Sequence, residues 1–420
     1  SFDINLPNST VTLGASGESA TYDDVTASTA DETLIISQNV TVNTLKIKKG
    51  HVKVYAKLGD ISREGTENGD VTYIIKEEDA NITGTVGEGC VVVSAAEYDL
   101  IVKFKQGGTQ TIVLESGVEL TQPLTLTEGN VILDLNSKTI TASNGDAIVV
   151  TNNAQLTITG NGIVQVKEGA NGCAVWAHHG GQVTIENGTF STNDDADGDR
   201  CDCIYAGSTA DMSSGTIIIN GGTFKYDGEN AEGHKFLLNK KDNTGSTITV
   251  NGGVFYKFNP AVSYGEPNAP VDFVAETSIV VETAEDVFEV LPSENGVVRL
   301  SKDIALYSPI EINKGNITLN LNGKTISSES GVTVNNEGKL TLVGGTVENT
   351  AVNGSATINN KGDLILRDVN VVGAPIGETG YPAYCITSAG NLTIEDGVSV
   401  SADRGCLFLS GTGETVVNGG

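Results

Sequence analysis

The sequence predicts an all-β protein, a right-handed parallel β-helix in two tandem modules. Three observations support this fold: short alternating segments recur along the chain, Asn-Gly-Gly turns follow several of them, and one long stretch occurs twice. The 420 residues include 51 glycines and are 38% hydrophobic but only 5% aromatic. A core built from them is aliphatic and β-branched, which favours strands over helices. The chain is also too long for one ordinary compact domain.

The recurring segments have apolar residues two apart, the period of a strand with one buried face. Their spacing varies between 24 and 34 residues, as expected for stacked coils with loops of different length. At about 4.8 Å per coil, about ten to fourteen coils would form a rod roughly 50 to 70 Å long. The segments occupy residues 155–160, 182–188, 216–222, 247–253, 339–345, 363–368, 391–397 and 414–420.

The turns NGTF, NGGTF and NGGVF begin at Asn187, Asn220 and Asn251. Asn tolerates a left-handed backbone and Gly adopts positive φ without strain, so the following aromatic residue can turn back into the core. We expect the three asparagines to stack at one corner and to share side-chain hydrogen bonds.

The long repeat sets residues 112–140 against 298–326 without a gap, and GNVILDLNSKTI matches GNITLNLNGKTI at eight of twelve positions. Before each copy, SAAE at 94–97 and TAED at 283–286 place a hydroxyl residue three before an acid, which is typical of a helix start. We expect short helices that close the open end of a stack of strands. Residues 98–104 could equally form a strand.

The predicted domains are an N-terminal β region (1–92), a first β-helix module (93–270) and a second (271–420). In the first of these, residues 33–55 read as three strands separated by QN and KKG turns, which form either narrower coils or a separate β domain. The final Asn-Gly-Gly lacks the aromatic residue that follows it elsewhere. We therefore expect the natural chain to continue beyond Gly420.

The charge of the chain bears on its partners. With 53 acidic and 25 basic residues the formal net charge is −28, which argues against nucleic acid and against an anionic membrane surface. The chain contains no run of 18 apolar residues, so membrane insertion is not expected. The six cysteines read either as small core residues or as disulfides, the latter joining Cys173 to Cys201 or Cys203, or Cys385 to Cys406.

The segment NDDADGDRCDC, residues 193–203, concentrates carboxylates. Three interpretations stay open: a solvated loop, a calcium site, or the acid and base of glycoside hydrolysis. In an enzyme, Asp194, Asp195, Arg200 and His178 would carry the chemistry, with His234 as a further candidate. The candidate calcium ligands are Asp194, Asp195, Asp197, Asp199 and Asp202.

Aromatic residues near the end of the first module offer a binding surface, because exposed rings stack on sugar faces. Trp176, His178, Tyr226 and Tyr256 are the ligand-binding candidates. The alternative is that the aromatic residues seal the junction between modules. His178 and His179 are adjacent and would face opposite sides of a strand, so both could not serve one metal.

The phrases LDLNSKTIT and LNLNGKTIS, the Asn-Gly-Gly corners and residues 252–276 resemble the β-helix repeat proteins of the pectate-lyase-like superfamily, found in Bacteroides-type gut bacteria and their bacteriophages. The resemblance implies the fold, and its members include surface proteins, phage fibres and polysaccharide-degrading enzymes. Polygalacturonase-like relatives carry Asn-Thr-Asp, Asp-Asp, Gly-His-Gly and Arg-Ile-Lys. Here Asp194 and Asp195 supply only the Asp-Asp. Pectate lyases need an arginine above a calcium cluster, and the nearby Arg200 lies inside the acidic loop itself.

The sequence therefore favours a non-catalytic rod that is extracellular, on a cell surface or on a virion, and that displays loops to a glycan or a host receptor. A homotrimer or a larger virion assembly is compatible with this function, and no cofactor other than calcium is indicated. The alternatives are a polysaccharide lyase or glycoside hydrolase acting on acidic polysaccharide, and a scaffold without a ligand.

Overall fold

The computed structural model describes residues 2–6, 8–15, 17–65, 71–198, 201–229, 237–260, 272–273, 278–291, 295–375, 384–403 and 405–419. Over these residues the chain forms a parallel β-solenoid of about 15 turns with two short helices. The predicted right-handed parallel β-helix is confirmed. At about 4.8 Å per turn, the stack is roughly 70 Å long.

The N-terminal coils contain two strands per turn, and their strands form two parallel sheets, β1-β3-β5-β7-β9 and β2-β4-β6-β8-β10. The region predicted at 33–55 is thus a set of narrower coils. Its strands are β1 (Phe2–Leu6), β2 (Val11–Leu13), β3 (Ala20–Thr29), β4 (Leu34–Ile36), β5 (Val40–Lys49), β6 (Val52–Val54), β7 (Lys57–Arg63), β8 (Thr72–Lys76), β9 (Asn81–Ile82) and β10 (Cys90–Ser94).

Module 1 begins with helix α1 (Ala95–Gln106) and has three strands per turn. The first, second and third strands of successive turns form three separate sheets. The strands are β11 (Thr109–Val113), β12 (Val118–Leu120), β13 (Leu124–Leu126), β14 (Asn130–Asp134), β15 (Thr139–Ala142), β16 (Ile148–Val150), β17 (Gln155–Thr159), β18 (Ile163–Val166), β19 (Val175–Ala177), β20 (Gln182–Ile185), β21 (Thr189–Thr192), β22 (Ile204–Ala206), β23 (Thr216–Ile219), β24 (Thr223–Tyr226), β25 (Leu238–Lys240), β26 (Thr247–Val250), β27 (Val254–Tyr256), β28 (Asp272–Phe273) and β29 (Ser278–Val281).

Module 2 is counted from helix α2 (Ala284–Val290), so β28 and β29, which follow the predicted boundary at residue 270, are grouped with module 1. After α2, module 2 repeats the three-strand turn. Two of its strands, β36 and β38, are long enough to span both the first and the second position of a turn. The strands are β30 (Asn295–Leu300), β31 (Ile304–Leu306), β32 (Ile310–Ile312), β33 (Asn316–Asn320), β34 (Thr325–Ser328), β35 (Val334–Asn336), β36 (Lys339–Asn349), β37 (Ile358–Asn360), β38 (Asp363–Val372), β39 (Tyr384–Ser388), β40 (Asn391–Ile394), β41 (Ser399–Ser401), β42 (Gly405–Leu409) and β43 (Thr415–Val417).

The duplication seen in the sequence is also present in the strands. The five strands β11 to β15 and the five strands β30 to β34 begin at positions 186 residues apart, from Thr109 and Asn295 onward. The modules meet through β29, which pairs with β27 on one side and with β30 on the other. One sheet therefore continues across the junction, from the second position of the turn in module 1 to the first position in module 2.

Both predicted helix starts are confirmed. The Ser94 side chain accepts a hydrogen bond from the Glu97 backbone N–H, and Thr283 forms a reciprocal capping box with Asp286. Residues 98–104 are helical, so the alternative of a strand there is wrong. Helix α1 packs against β8 and β10 on one side and against β12 and β13 on the other. It therefore lies between two stacks and covers the apolar end of each.

The corner residues behave differently from the prediction. The turn backbone is left-handed at Gly188, Gly222 and Gly253, with φ between 99° and 118°, whereas Asn187, Asn220 and Asn251 keep negative φ. Asn251 does donate to the Asn220 side chain, at 2.9 Å.

The predicted contact between Asn187 and Asn220 is not formed, because the residue before Asn187 takes its place. Strand register places Glu186 below Asn220, and Asn220 donates to the Glu186 carboxylate at 2.8 Å. Asn187 instead donates to Asn161, at 2.6 Å. The reason is that the first turn reads Glu-Asn-Gly where the next two read Asn-Gly-Gly.

The aromatic residues after these turns stack inside the solenoid. The ring centroids of Phe190 and Phe224 lie 5.4 Å apart, those of Phe224 and Phe255 lie 4.9 Å apart, and all three side chains are fully buried. Apart from this stack the core is mainly Val, Ile, Leu and Ala, as the composition predicts. Among the described residues, neither helix has the length and apolar character needed to cross a bilayer.

Candidate functional site

The third sheet of module 1 carries two large aromatic side chains on its outer face. Trp176 in β19 and Tyr205 in β22 each stand half-exposed between two buried neighbours, because successive side chains on a strand point to opposite faces. The two residues are register partners on adjacent turns. Val149 lies one turn below Trp176 and Asn239 one turn above Tyr205, so the four side chains form a column along the solenoid.

The Trp176 ring is held in place from two directions. Its indole Nε1 donates to the Gly207 carbonyl at 2.7 Å, and the His178 ring stacks on it with centroids 4.2 Å apart and planes 24° apart. The Tyr205 ring centroid lies 6.4 Å from that of Trp176. This arrangement presents a preorganised aromatic surface whose polar atoms are already bonded.

A cavity of about 290 Å³ lies beside these rings, and its wall combines polar and apolar surface. Asp146 accepts a hydrogen bond from the Cys173 backbone N–H at 2.7 Å, and burial raises the pKa of its carboxyl group. Asp202 accepts from the Asn239 side chain at 3.2 Å. Rings next to a small number of polar groups are typical of a ligand pocket. The lining residues are Asp146, Asn171, Gly172, Cys173, Trp176, Cys201, Asp202 and Tyr205.

The two histidines are not on opposite faces, so that part of the prediction is wrong. Strand β19 ends at Ala177, and His179 has a left-handed backbone with φ 48°, which turns its ring towards His178. The ring centroids lie 4.6 Å apart. Burial, together with the nearby His179, lowers the pKa of His178.

His179 also pairs with the Asp211 carboxylate. Hydrogen bonding from Ser213 is the main cause that lowers the pKa of Asp211 to about 2, and His179 adds to it. The Ser213 side chain in turn accepts a hydrogen bond from the His179 backbone N–H at 3.2 Å.

The carboxylates of the acidic segment point in different directions. Asp194 is buried and accepts hydrogen bonds from the Tyr226 hydroxyl and the Glu229 backbone N–H. Asp195 accepts from the Asp197 backbone N–H at 2.9 Å, as in a tight surface turn. Asp202 faces the cavity beside Trp176.

Within the part of the chain that the structure describes, no three His, Cys, Asp or Glu side chains are placed to hold a metal ion. Asp199, Arg200 and His234 lie outside the described residues. The calcium site and the catalytic roles of Asp194, Asp195, Arg200 and His178 therefore stay predictions.

The four predicted ligand-binding aromatic residues fall on two different sheets. Trp176 lies in β19 of the third sheet of module 1, with His178 directly after that strand, whereas Tyr226 in β24 and Tyr256 in β27 belong to the second sheet. Tyr226 packs against the core and uses its hydroxyl on Asp194. Trp176 and His178 contact each other, and neither Tyr226 nor Tyr256 lines the cavity beside them.

All six cysteines are free thiols, so neither predicted disulfide arrangement is formed. Cys90, Cys201, Cys203 and Cys385 are buried, in line with the interpretation as small core residues. Burial is the main cause that raises the pKa of the Cys201 thiol to about 11 and that of Cys385 to about 12. Thiols with raised pKa values are poor nucleophiles.

Sequence reasoning missed Tyr205, which completes the aromatic pair. The segments VWAH (175–178) and IYAG (204–207) share the same alternation, and aligning them would have placed Tyr205 above Trp176. No such signal exists for Asp146 and Asn171, which reach the cavity from turns whose length varies.

The fold defines the class to which this chain belongs: it is a parallel β-helix repeat protein. No protein-family model, curated protein or solved structure matches the chain.

Proposed function

We propose that this protein is a non-catalytic extracellular rod, a cell-surface or virion fibre, that binds a neutral glycan through the outer face of the third sheet of module 1. The observation that carries the proposal is the register-paired Trp176 and Tyr205, with His178 stacked on the indole ring. A half-exposed ring whose own polar atoms are already bonded offers its face to the C–H side of a sugar ring. The resemblance to surface β-helix repeat proteins supports this function.

The charge distribution favours a neutral sugar over an acidic one. Asp146 and Asp202 face the cavity, Asp211 lies beside His179, and the whole chain carries a net charge of −28. A carboxylated polysaccharide would be repelled both locally and at a distance. The engagement of Asp194 by Tyr226 and Glu229 supports a structural rather than a catalytic use of that carboxylate.

An array of neutral and acidic oligosaccharides, followed by calorimetry with the best ligand, tests the proposal. Trp176→Ala and Tyr205→Ala should each weaken binding at least tenfold, or about 1.4 kcal/mol. Tyr307→Ala is the matched control, since Tyr307 is an aromatic residue 61% exposed in the other module, and it should leave affinity unchanged. Release of a product that disappears in Asp194→Asn and Asp195→Asn would instead establish the enzyme, and unaltered affinity in both aromatic variants would remove the proposed site.

A further inference from the structure

A second groove, of about 320 Å³, lies on the third sheet of module 2 and shares no residue with the cavity beside Trp176. Its floor consists of Asn335 in β35, Asn359 in β37 and Thr387 in β39, which are register partners on three successive turns. All three side chains are half-buried and stand on the outer face of the sheet. Glu311 in β32 extends this column by one turn.

The side chains of the floor form a one-directional ladder of hydrogen bonds. Asn335 donates to the Glu311 carboxylate at 2.7 Å, and Asn359 donates to the Asn335 side-chain oxygen at 3.1 Å. The ladder ends there. Among the described residues, the Asn359 side-chain oxygen and the Thr387 hydroxyl have no hydrogen-bond partner. One acceptor and one hydroxyl on adjacent turns are thus open to a ligand.

The wall of the groove has charged side chains beside β35 and β37 and no long side chain beside β39. Glu337 and Lys361 follow β35 and β37 and pair with each other at 2.8 Å, with both side chains mostly exposed. The corresponding residue after β39 is Ala389, which is exposed and has no long side chain. The space next to Thr387 is open for this reason.

These features select a ligand class. None of the described residues that line the groove is aromatic, and its open groups are hydrogen-bonding ones. The nearest ring of the column is Phe408, which is 45% exposed and lies one turn beyond Thr387. Lys361 balances Glu337, while Glu311 is occupied by Asn335 and the molecule as a whole is strongly acidic. Uncharged hydroxyl groups can both donate to the Asn359 oxygen and exchange hydrogen bonds with Thr387.

We propose that this groove binds a neutral, hydroxyl-rich ligand, such as one saccharide unit, through its hydroxyl edge. The site in module 1 takes the face of a sugar ring, whereas the groove in module 2 takes hydroxyl groups. The proposal extends the proposed function to a second, independent site and does not require the first one. The duplicated module therefore displays two binding surfaces of different chemistry on equivalent strands.

Saturation-transfer difference NMR on the full chain tests the proposal, with galactose, mannose, N-acetylglucosamine and glucuronate each present at millimolar concentration. The parent protein is the Trp176→Ala/Tyr205→Ala variant, in which the first site is removed. At least one neutral sugar should still receive saturation. Thr387→Val, which removes only the hydroxyl group, and Ala389→Lys, which fills the open space, should each lower that signal at least threefold.

Thr125→Val is the matched control, because Thr125 is a half-buried outward residue on β13, a strand of the third sheet of module 1, and it should leave the signal unchanged. An absent signal for every neutral sugar in the parent protein would overturn the proposal, as would a stronger signal for glucuronate or equal signals in all variants. The two proposals fail separately. If the wild-type signal disappears in Trp176→Ala/Tyr205→Ala, the sugar binds at the module 1 site and the proposal for the groove is wrong. If only Thr387→Val and Ala389→Lys remove the signal, the sugar binds in the groove and the proposed module 1 site is wrong.

Discussion

His51 shows how a single, mostly buried side chain joins the N-terminal coils to helix α1. Its Nδ1 accepts a hydrogen bond from the Tyr73 backbone N–H at 3.0 Å, and its ring packs against Tyr73 and Tyr98. An accepting Nδ1 requires the neutral imidazole. Burial is the main cause that lowers the pKa of His51, and the positive charge of Lys105 adds to it, against opposite contributions from Asp31 and Glu32.

We predict a stability that depends on the charge of His51. In the unfolded chain the imidazole titrates near 6.5, and in the folded chain its pKa is lower, so between the two values only the unfolded chain carries the proton. The free energy of unfolding should therefore decrease as pH falls below about 6.5 and increase as pH rises. Urea unfolding at about pH 7.5 and about pH 5.5 measures this change.

The His51→Gln variant is the control, because a glutamine side chain can still accept a hydrogen bond from Tyr73 but does not titrate. It should show a smaller loss of stability between the two pH values than the wild type. An equal loss in both proteins would show that His51 does not carry the effect.

At the scale of one element, helix α2 depends on its N-cap residue, Thr283. It has seven residues, and its capping box lets the Thr283 side chain accept from Asp286 while the Asp286 carboxylate accepts from the Thr283 and Glu282 backbone N–H groups. Thr283→Ala should lower the free energy of unfolding by about 1 kcal/mol, since Thr, Ser, Asp and Asn caps contribute about that much. Chemical denaturation followed by circular dichroism is the measurement.

Thr283→Ser keeps the hydroxyl oxygen and should stay within a few tenths of a kcal/mol of the wild type. A serine variant as unstable as the alanine variant would mean that the methyl group of Thr283, rather than its cap, stabilises the junction. The position matters because α2 contacts β29 and β31, where the sheet crosses from one module to the next.

The whole molecule carries a net charge of −28 spread along a stack of coils. Its ion pairs lie mostly between exposed side chains, and such pairs contribute about 0 to 1 kcal/mol each. Self-repulsion among the acidic groups is screened by salt, because the Debye length falls from about 30 Å at about 0.01 M to about 8 Å at about 0.15 M. Raising the salt concentration over that range should therefore raise the melting temperature.

Thermal unfolding in sodium chloride and in potassium chloride at matched ionic strength provides the measurement, and the two salts should act alike if screening is the cause. A melting temperature that falls with salt would show that the surface ion pairs outweigh the repulsion. Binding of a neutral saccharide should change little over the same range, since no charge on the ligand is screened.

Much of the fold could be predicted because each coil repeats a local pattern. Alternating apolar residues place the first-position strands such as β17, β20 and β26, and Ser94 and Thr283 place both helix starts. The predicted stack of corner asparagines was wrong at one position, because strand register places Glu186 rather than Asn187 below Asn220. Turn chemistry alone cannot decide which of two adjacent residues, Glu186 or Asn187, will contact Asn220 on the next turn.

The candidate site could be predicted only in part for the same reason. Trp176 and His178 stand out by residue type, whereas Tyr205 becomes important because a parallel pairing places it one turn above Trp176. Tyr226 and Tyr256 stand out in the sequence by residue type just as Trp176 does, yet they lie on a different sheet. The groove in module 2 contains only Asn, Thr, Glu, Lys and Ala, which have no distinctive pattern in the sequence.

By itself, the sequence determined that the chain forms parallel coils, that one module occurs twice, and that the surface is acidic. These properties follow from the period of apolar residues and from composition, which are local. Only the tertiary structure decided which residues meet on the outside of the solenoid, because neighbours there are separated by a full turn of variable length. That stacking brings Tyr205 over Trp176 and leaves the Asn359 oxygen open below Thr387.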